Sequence, residues 1–154
     1  MEWKKIIIPI LFVFGGISCK RENIVFSREP FVEFVSASPN RVSEGGNIEI
    51  TIRYRDGDGD LGGRSDNAPD LFLIDLRDST LFPTGYDGIL RYNMPRFYEG
   101  PEQSIQGTIT LTVSGVVRLN PALSAEELRF EIYVRDRRDQ ESNRVRTTPV
   151  YIVP

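Results

Sequence analysis

Apolar and polar residues alternate with period two along much of this chain, in short runs separated by turn-forming clusters. Ile48, Ile50, Ile52 and Tyr54 alternate with Glu49, Thr51 and Arg53. That is the pattern of a strand with one face on a core and one in water. Ile105, Gly107, Ile109, Leu111 and Val113 repeat it, as do Leu128, Phe130, Ile132 and Val134. Phe31–Ser36 reads as a first strand, closed by the turn Ser38-Pro39-Asn40, and Ser43-Glu44-Gly45-Gly46 reads as a second turn. Leu71–Leu76 is almost continuously apolar, as expected of a central strand. Val145–Val153 forms the last strand, with Pro149 confining it to a sheet edge or a bulge. Between Asp78 and Gly100 the pattern weakens, leaving Ile89–Tyr92 and Arg96–Tyr98 as short edge strands or a crossover. One helical turn is expected over Asn120–Glu127, with Ser124 and Glu127 spaced as a capping box. Six or seven short strands and hardly any helix predict an all-β fold, a β-sandwich.

With 154 residues the chain makes one domain with a substantial core, spanning 31–154. A net charge of -3 argues against a nucleic-acid partner, which needs a clustered basic face. Histidine is absent, removing the commonest general base and a common zinc ligand. The single cysteine, Cys19, excludes an intrachain disulfide.

The first 18 residues read as a secretion signal. Lys4 and Lys5 precede the apolar run Ile6–Phe14, and small residues Gly15, Gly16 and Ser18 lead to Cys19. The apolar run is too short for a permanent membrane helix. Gly16-Ile17-Ser18-Cys19 resembles the lipobox of bacterial lipoproteins, departing from it in Gly16, where leucine is common. The resemblance implies that Cys19 is acylated and becomes the first mature residue. Lys20, in place of an inner-membrane retention aspartate, implies the outer membrane, on its periplasmic side or at the cell surface. Lys20-Arg21-Glu22-Asn23 resembles, with one acidic residue, the surface-export tags of Bacteroidetes-type lipoproteins. Residues 19–30 would then be the lipidated cysteine and a polar tether, of which 20–30 reach about 36 Å when extended.

The densest chemistry lies in Asp56-Gly57-Asp58-Gly59-Asp60-Leu61-Gly62-Gly63, directly after the most regular strand. Three carboxylates at alternate positions repel unless solvated or shared by a cation, and interleaved glycines let the backbone curl around one. Hard oxygen ligands in this pattern point to calcium. The loop differs from an EF-hand, because glycine falls at the seventh position (Gly62) and the twelfth is Asn67. A further ligand would come from Asp66, Asp70 or Asp136. The competing reading is a solvated turn, since Asp-Gly pairs form turns readily. A glycosidase pair needs one carboxyl kept neutral, and a wet glycine-rich loop is a poor place for it. Tyr86, Tyr92, Phe97 and Tyr98 cluster in the irregular middle segment, either as a platform for sugar rings or as cover over the open edge of the core.

Tyr54-Arg55-Asp56-Gly57-Asp58-Gly59-Asp60-Leu61-Gly62, together with Phe130–Asp136 and the stretch from Ser142-Asn143 to Thr147-Thr148, is similar to immunoglobulin-like domains of bacterial surface lipoproteins. Those domains often carry a glycine in the last hairpin loop, where this chain has Asp139 and Gln140. The resemblance implies an immunoglobulin-like sandwich of about seven strands. It also implies that Asp56, Asp58 and Asp60 meet Asp136 and Asp139 at the end from which the first strand starts, facing the tether. The expected role is non-catalytic: a binding or scaffold domain for an envelope protein or extracellular polymer, held to the membrane by its lipid. The rival is a carbohydrate-binding module using Tyr86, Tyr92 and Tyr98.

Overall fold

The structure is a computed structural model that describes residues 26–66 and 68–154. The expected signal, Cys19 and the first part of the expected tether, through residue 25, lie outside the described residues, as does Asn67. Ten short strands make up the described chain, with one 3-10 turn, Ser79–Leu81, and no α-helix among the described residues. In order they are β1 (Phe31–Ser38), β2 (Arg41–Ser43), β3 (Ile48–Asp56), β4 (Leu71–Asp75), β5 (Ile89–Tyr92), β6 (Ile105–Val113), β7 (Glu126–Leu128), β8 (Phe130–Val134), β9 (Val145–Arg146) and β10 (Val150–Val153).

They form three small sheets, ordered β1-β3-β6, β5-β4-β8-β9 and β2-β10-β7. All pairs are antiparallel except β10 with β2. Ile48, Ile50 and Ile52 of the first sheet, Leu71, Leu73 and Ile132 of the second, and Leu128 and Ile152 of the third belong to one buried cluster. One core shared by all three sheets is consistent with a β-sandwich. The alternation sends Ile48, Ile50, Ile52 and Tyr54 inward, as period two requires.

The strand count differs from the expected six or seven for physical reasons. Arg41–Ser43, between two turns, adds a short strand by pairing with β10. The run from Leu128 to Val134 divides at Arg129, and the last strand divides around Thr147–Pro149. The two dividing runs leave one sheet for another there. Thr147 closes the crossing: its amide donates to Phe130 O at 2.9 Å, and its hydroxyl accepts from Phe130 N at 3.0 Å. The helical turn expected near Ser124 does not form. Glu126 and Glu127 enter β7, and the Glu126 carboxylate instead accepts from the amides of Leu119 (2.8 Å) and Asn120 (2.7 Å). Arg96–Tyr98 is not a strand; Phe97 turns inward and stacks on Tyr54 at 4.8 Å.

The register fixes the two ends. Asp56 pairs with Ile105, and Phe31 with Arg55, at one end. Ile48 pairs with Val113 at the other, where Glu44 N donates to Val153 O. The loops after β3 and β8 leave from the first end.

Candidate metal centre

β3 ends by delivering Asp56 into the interior, and the chain then turns on glycines. Gly62 has φ +75°, and a Cβ there would collide with the carbonyl oxygen of Pro95, so both the turn and the close approach require glycine. This curl folds Asp58 and Asp60 back beside Asp56. Asp56, Asp58 and Asp60 are all buried, at 0%, 4% and 7% exposure, so the solvated turn is not what forms. Ligand oxygens of the three lie within 4.8 Å of one another. Asp136, two residues past the end of β8 and fully buried, comes from the loop that follows that strand.

Protein donors hold some of these carboxylate oxygens. Leu61 N donates to Asp56 Oδ2 at 3.1 Å, and Arg138 N and Gln140 N both donate to Asp136 Oδ1 at 2.8 Å. Arg138 Nη1 donates to Asp58 Oδ2 at 2.6 Å, and its Nε lies 3.5 Å from Asp60 Oδ2. The other oxygen of each residue (Asp56 Oδ1, Asp58 Oδ1, Asp60 Oδ1 and Asp136 Oδ2) is buried without a hydrogen-bond partner. A buried acceptor left unmet costs about 1–3 kcal/mol, more when charged. Three of these carboxylates clustered together, with Asp136 close enough to act on Asp56 and Asp60 by its charge, fit a hard cation. Oxygens sharing one calcium at 2.3–2.6 Å stand no more than about 5 Å apart, and ligand oxygens of Asp56, Asp58 and Asp60 meet that limit.

The electrostatics follow from the same packing. Burial first, then the charge of Asp58, pushes Asp56 up to about 6. Burial, then the charges of Asp136, Asp58 and Asp56, pushes Asp60 up to about 7. Asp136 is also raised, mainly by burial. A bound dication would reverse each of these shifts by favouring the ionised forms.

Three arginines stitch the two loops around the cluster. Arg64 donates to Asp136 O at 2.7 Å and to Asp139 at 2.8 Å; Arg137 donates to Gly62 O at 2.9 Å; Arg138 spans Asp58 and Asp60. Sequence reasoning missed all three. The one available signal was Arg137-Arg138 directly after Asp136, a basic pair inside an acidic end. Asp139 takes φ 64°, the left-handed conformation for which a glycine would serve. Of the other carboxylates considered, Asp66 is exposed and paired with Arg64, and Asp70 accepts from Met94 N at 2.6 Å.

No family model matches the chain, and no curated protein matches it.

The aromatic residues of the middle segment pack in different surroundings. Tyr86 is half-buried, tilted against Phe82, with its hydroxyl donating to Asp75 at 3.4 Å. Tyr92 packs against the core, and the ring of Tyr98 lies over Gly59. At the opposite end of the domain an apolar cleft of about 320 Å³ is lined by Leu90, Val113, Val116, Leu128 and Phe130, with Asp75 and Arg77 on its wall. Arg77 donates to Asp75 Oδ2 at 2.7 Å and to Glu126 Oε1 at 3.0 Å, so both carboxylates are neutralised by one guanidinium.

Proposed function

We propose that this chain is a non-catalytic envelope lipoprotein: an immunoglobulin-like β-sandwich, anchored through acylated Cys19, whose membrane-facing end is stabilised by a calcium ion. In this reading the domain binds or scaffolds an envelope protein or extracellular polymer. The observation that carries the calcium reading is the set of four buried, unpartnered oxygens on Asp56, Asp58, Asp60 and Asp136. Their burial supports a structural ion enclosed by protein over one with an open position for a substrate. Calcium suits an all-carboxylate set with room for several oxygens, whereas magnesium keeps more of its waters. The immunoglobulin-like order is supported by the strand orders β1-β3-β6 and β5-β4-β8-β9, which share one buried core, and by the parallel pairing of β2 with β10.

The carbohydrate alternative has less behind it, because Tyr86, Tyr92 and Tyr98 are half-buried in three different surroundings and offer no shared platform. Absence of catalysis is supported by the locking of Asp75 and Glu126 onto Arg77.

The test is thermal unfolding of the full chain in detergent, with calcium in excess and with chelator, repeated on Asp58→Ala. Calcium at a hundredfold its dissociation constant stabilises the fold by about 2.7 kcal/mol, a rise of several degrees. The rise is expected in the native chain and absent from Asp58→Ala. An unfolding temperature indifferent to calcium overturns the reading.

A further inference from the structure

The acidic loop does more than close on itself. The backbone of Phe26 and Ser27 lies directly on Gly57, where a Cβ would collide with the carbonyl oxygens of both. Ser104 Oγ accepts from Phe26 N at 3.4 Å and donates to Gly57 O at 3.2 Å, joining the N-terminal segment to the loop. A chain of charges runs outward from the cluster: Asp58 to Arg138 at 2.6 Å, Arg138 to Glu102 at 2.5 Å, and Glu102 to Arg28 at 3.3 Å. Arg55, one residue before the first aspartate, sets its guanidinium 6.0 Å from the Phe26 ring and 5.7 Å from the Phe31 ring.

We propose that cation binding at Asp56, Asp58, Asp60 and Asp136 latches the segment from Phe26 to Pro30 onto this end of the domain. Cation occupancy thereby sets how the domain stands relative to whatever holds its N-terminus. The inference rests on the cation reading above and assigns that site a regulatory role.

The physical basis is a difference between two states of one loop. With a dication present, four carboxylates converge and Gly57 presents a flat backbone platform for residues 26 and 27. Without it, four buried carboxylates repel at close range and gain by opening to water. Opening moves Gly57 and turns Asp58 away from Arg138, so the platform and the charge chain are lost together. A ligand shifts such an equilibrium by its differential affinity, and the cation meets its full ligand set in the closed loop alone. Linkage is reciprocal, so weakening the docked segment also weakens the cation.

Hydrogen exchange read by mass spectrometry tests this on the full chain in detergent micelles, with calcium chloride and with chelator. The amide of Phe26, which donates to Ser104 Oγ in the docked segment, is expected to exchange at least about fivefold more slowly with calcium. Amides of β4 and β8 serve as the internal control and stay unchanged over the same time window. Glu102→Gln, which cuts the chain of charges outside the ligand set, is expected to keep the calcium-induced rise in unfolding temperature and lose most of the slow exchange at Phe26. If calcium raises the unfolding temperature through Asp58 while exchange at Phe26 is identical in both conditions, the latch is wrong and the site stands. If calcium changes neither, the cation reading itself fails and the latch falls with it.

Discussion

Asp60 shows how one side chain sets a sign. Its carboxyl is buried among Asp136, Asp58 and Asp56, and is raised to about 7; Asp56 is raised to about 6. An unfolded aspartate titrates near 3.9. Between about pH 4 and 7, therefore, the folded cation-free chain holds more protons than the unfolded chain. Stability is then fully present below the unfolded pKa and falls as pH rises through the folded values. In buffer stripped of calcium, the urea midpoint is expected to be higher at pH 5 than at pH 7.5. Saturating calcium should abolish or invert that slope, because the ion, not a proton, then answers the charge. Asp60→Asn sharpens the test: removing one buried like charge should raise the midpoint of the calcium-free chain at pH 7.5 and lower that of the calcium-loaded one. A calcium-free midpoint that climbs with pH would show that these carboxylates are not strained by one another.

At the scale of elements, period two was legible wherever a strand keeps one face on the core. The inward set Ile48, Ile50, Ile52 and Tyr54 lies where its spacing puts it, and three aspartates at alternate positions marked the loop that closes on itself. The sheet change at Arg129 was not legible. Leu128, Phe130, Ile132 and Val134 are all buried, so alternation runs unbroken through a point where the hydrogen-bonding partner changes. Side-chain periodicity reports which face is buried and carries nothing about which neighbour is paired. Arg64, Arg137 and Arg138 escaped notice for a related reason: they sit in loops without a period, and their role depends on a second loop distant in sequence. The crossing itself rests on Thr147, which serves both backbone groups of Phe130. Thr147→Val keeps the shape and deletes the acceptor for the buried Phe130 N–H. A loss of about 1–3 kcal/mol in a denaturant titration is expected, with the calcium-dependent rise preserved because the metal end is untouched. A loss below about 0.5 kcal/mol would mean that Phe130 N–H finds water or another acceptor at the crossing.

For the whole molecule the two ends carry different physics. One gathers buried charge, the start of β1 and the segment from Phe26; the other is an apolar cleft with its carboxylates neutralised by Arg77. If Cys19 is acylated, the charged end is the one facing the membrane. With Phe26 resting on Gly57, a chain of six residues, 20–25, would span at most about 22 Å between Cys19 and the domain. The domain would then stand close above the headgroups with its cation end down and its apolar cleft outward, available to a partner. This orientation depends on the lipid, since each buried methylene contributes about 0.8 kcal/mol and Lys20, Arg21, Glu22 and Asn23, directly after Cys19, contribute no apolar anchor of their own. Cys19→Ser in a bacterial host is expected to abolish incorporation of labelled palmitate and to move the chain from the membrane pellet into the soluble fraction. Circular dichroism of the released chain should still report a β-rich fold with an unchanged calcium response, because no residue of the core or of the cation cluster has been altered. Retention of Cys19→Ser in the membrane fraction after a high-salt wash would show that something other than acyl chains holds it, and would remove the basis for setting the cation end toward the membrane.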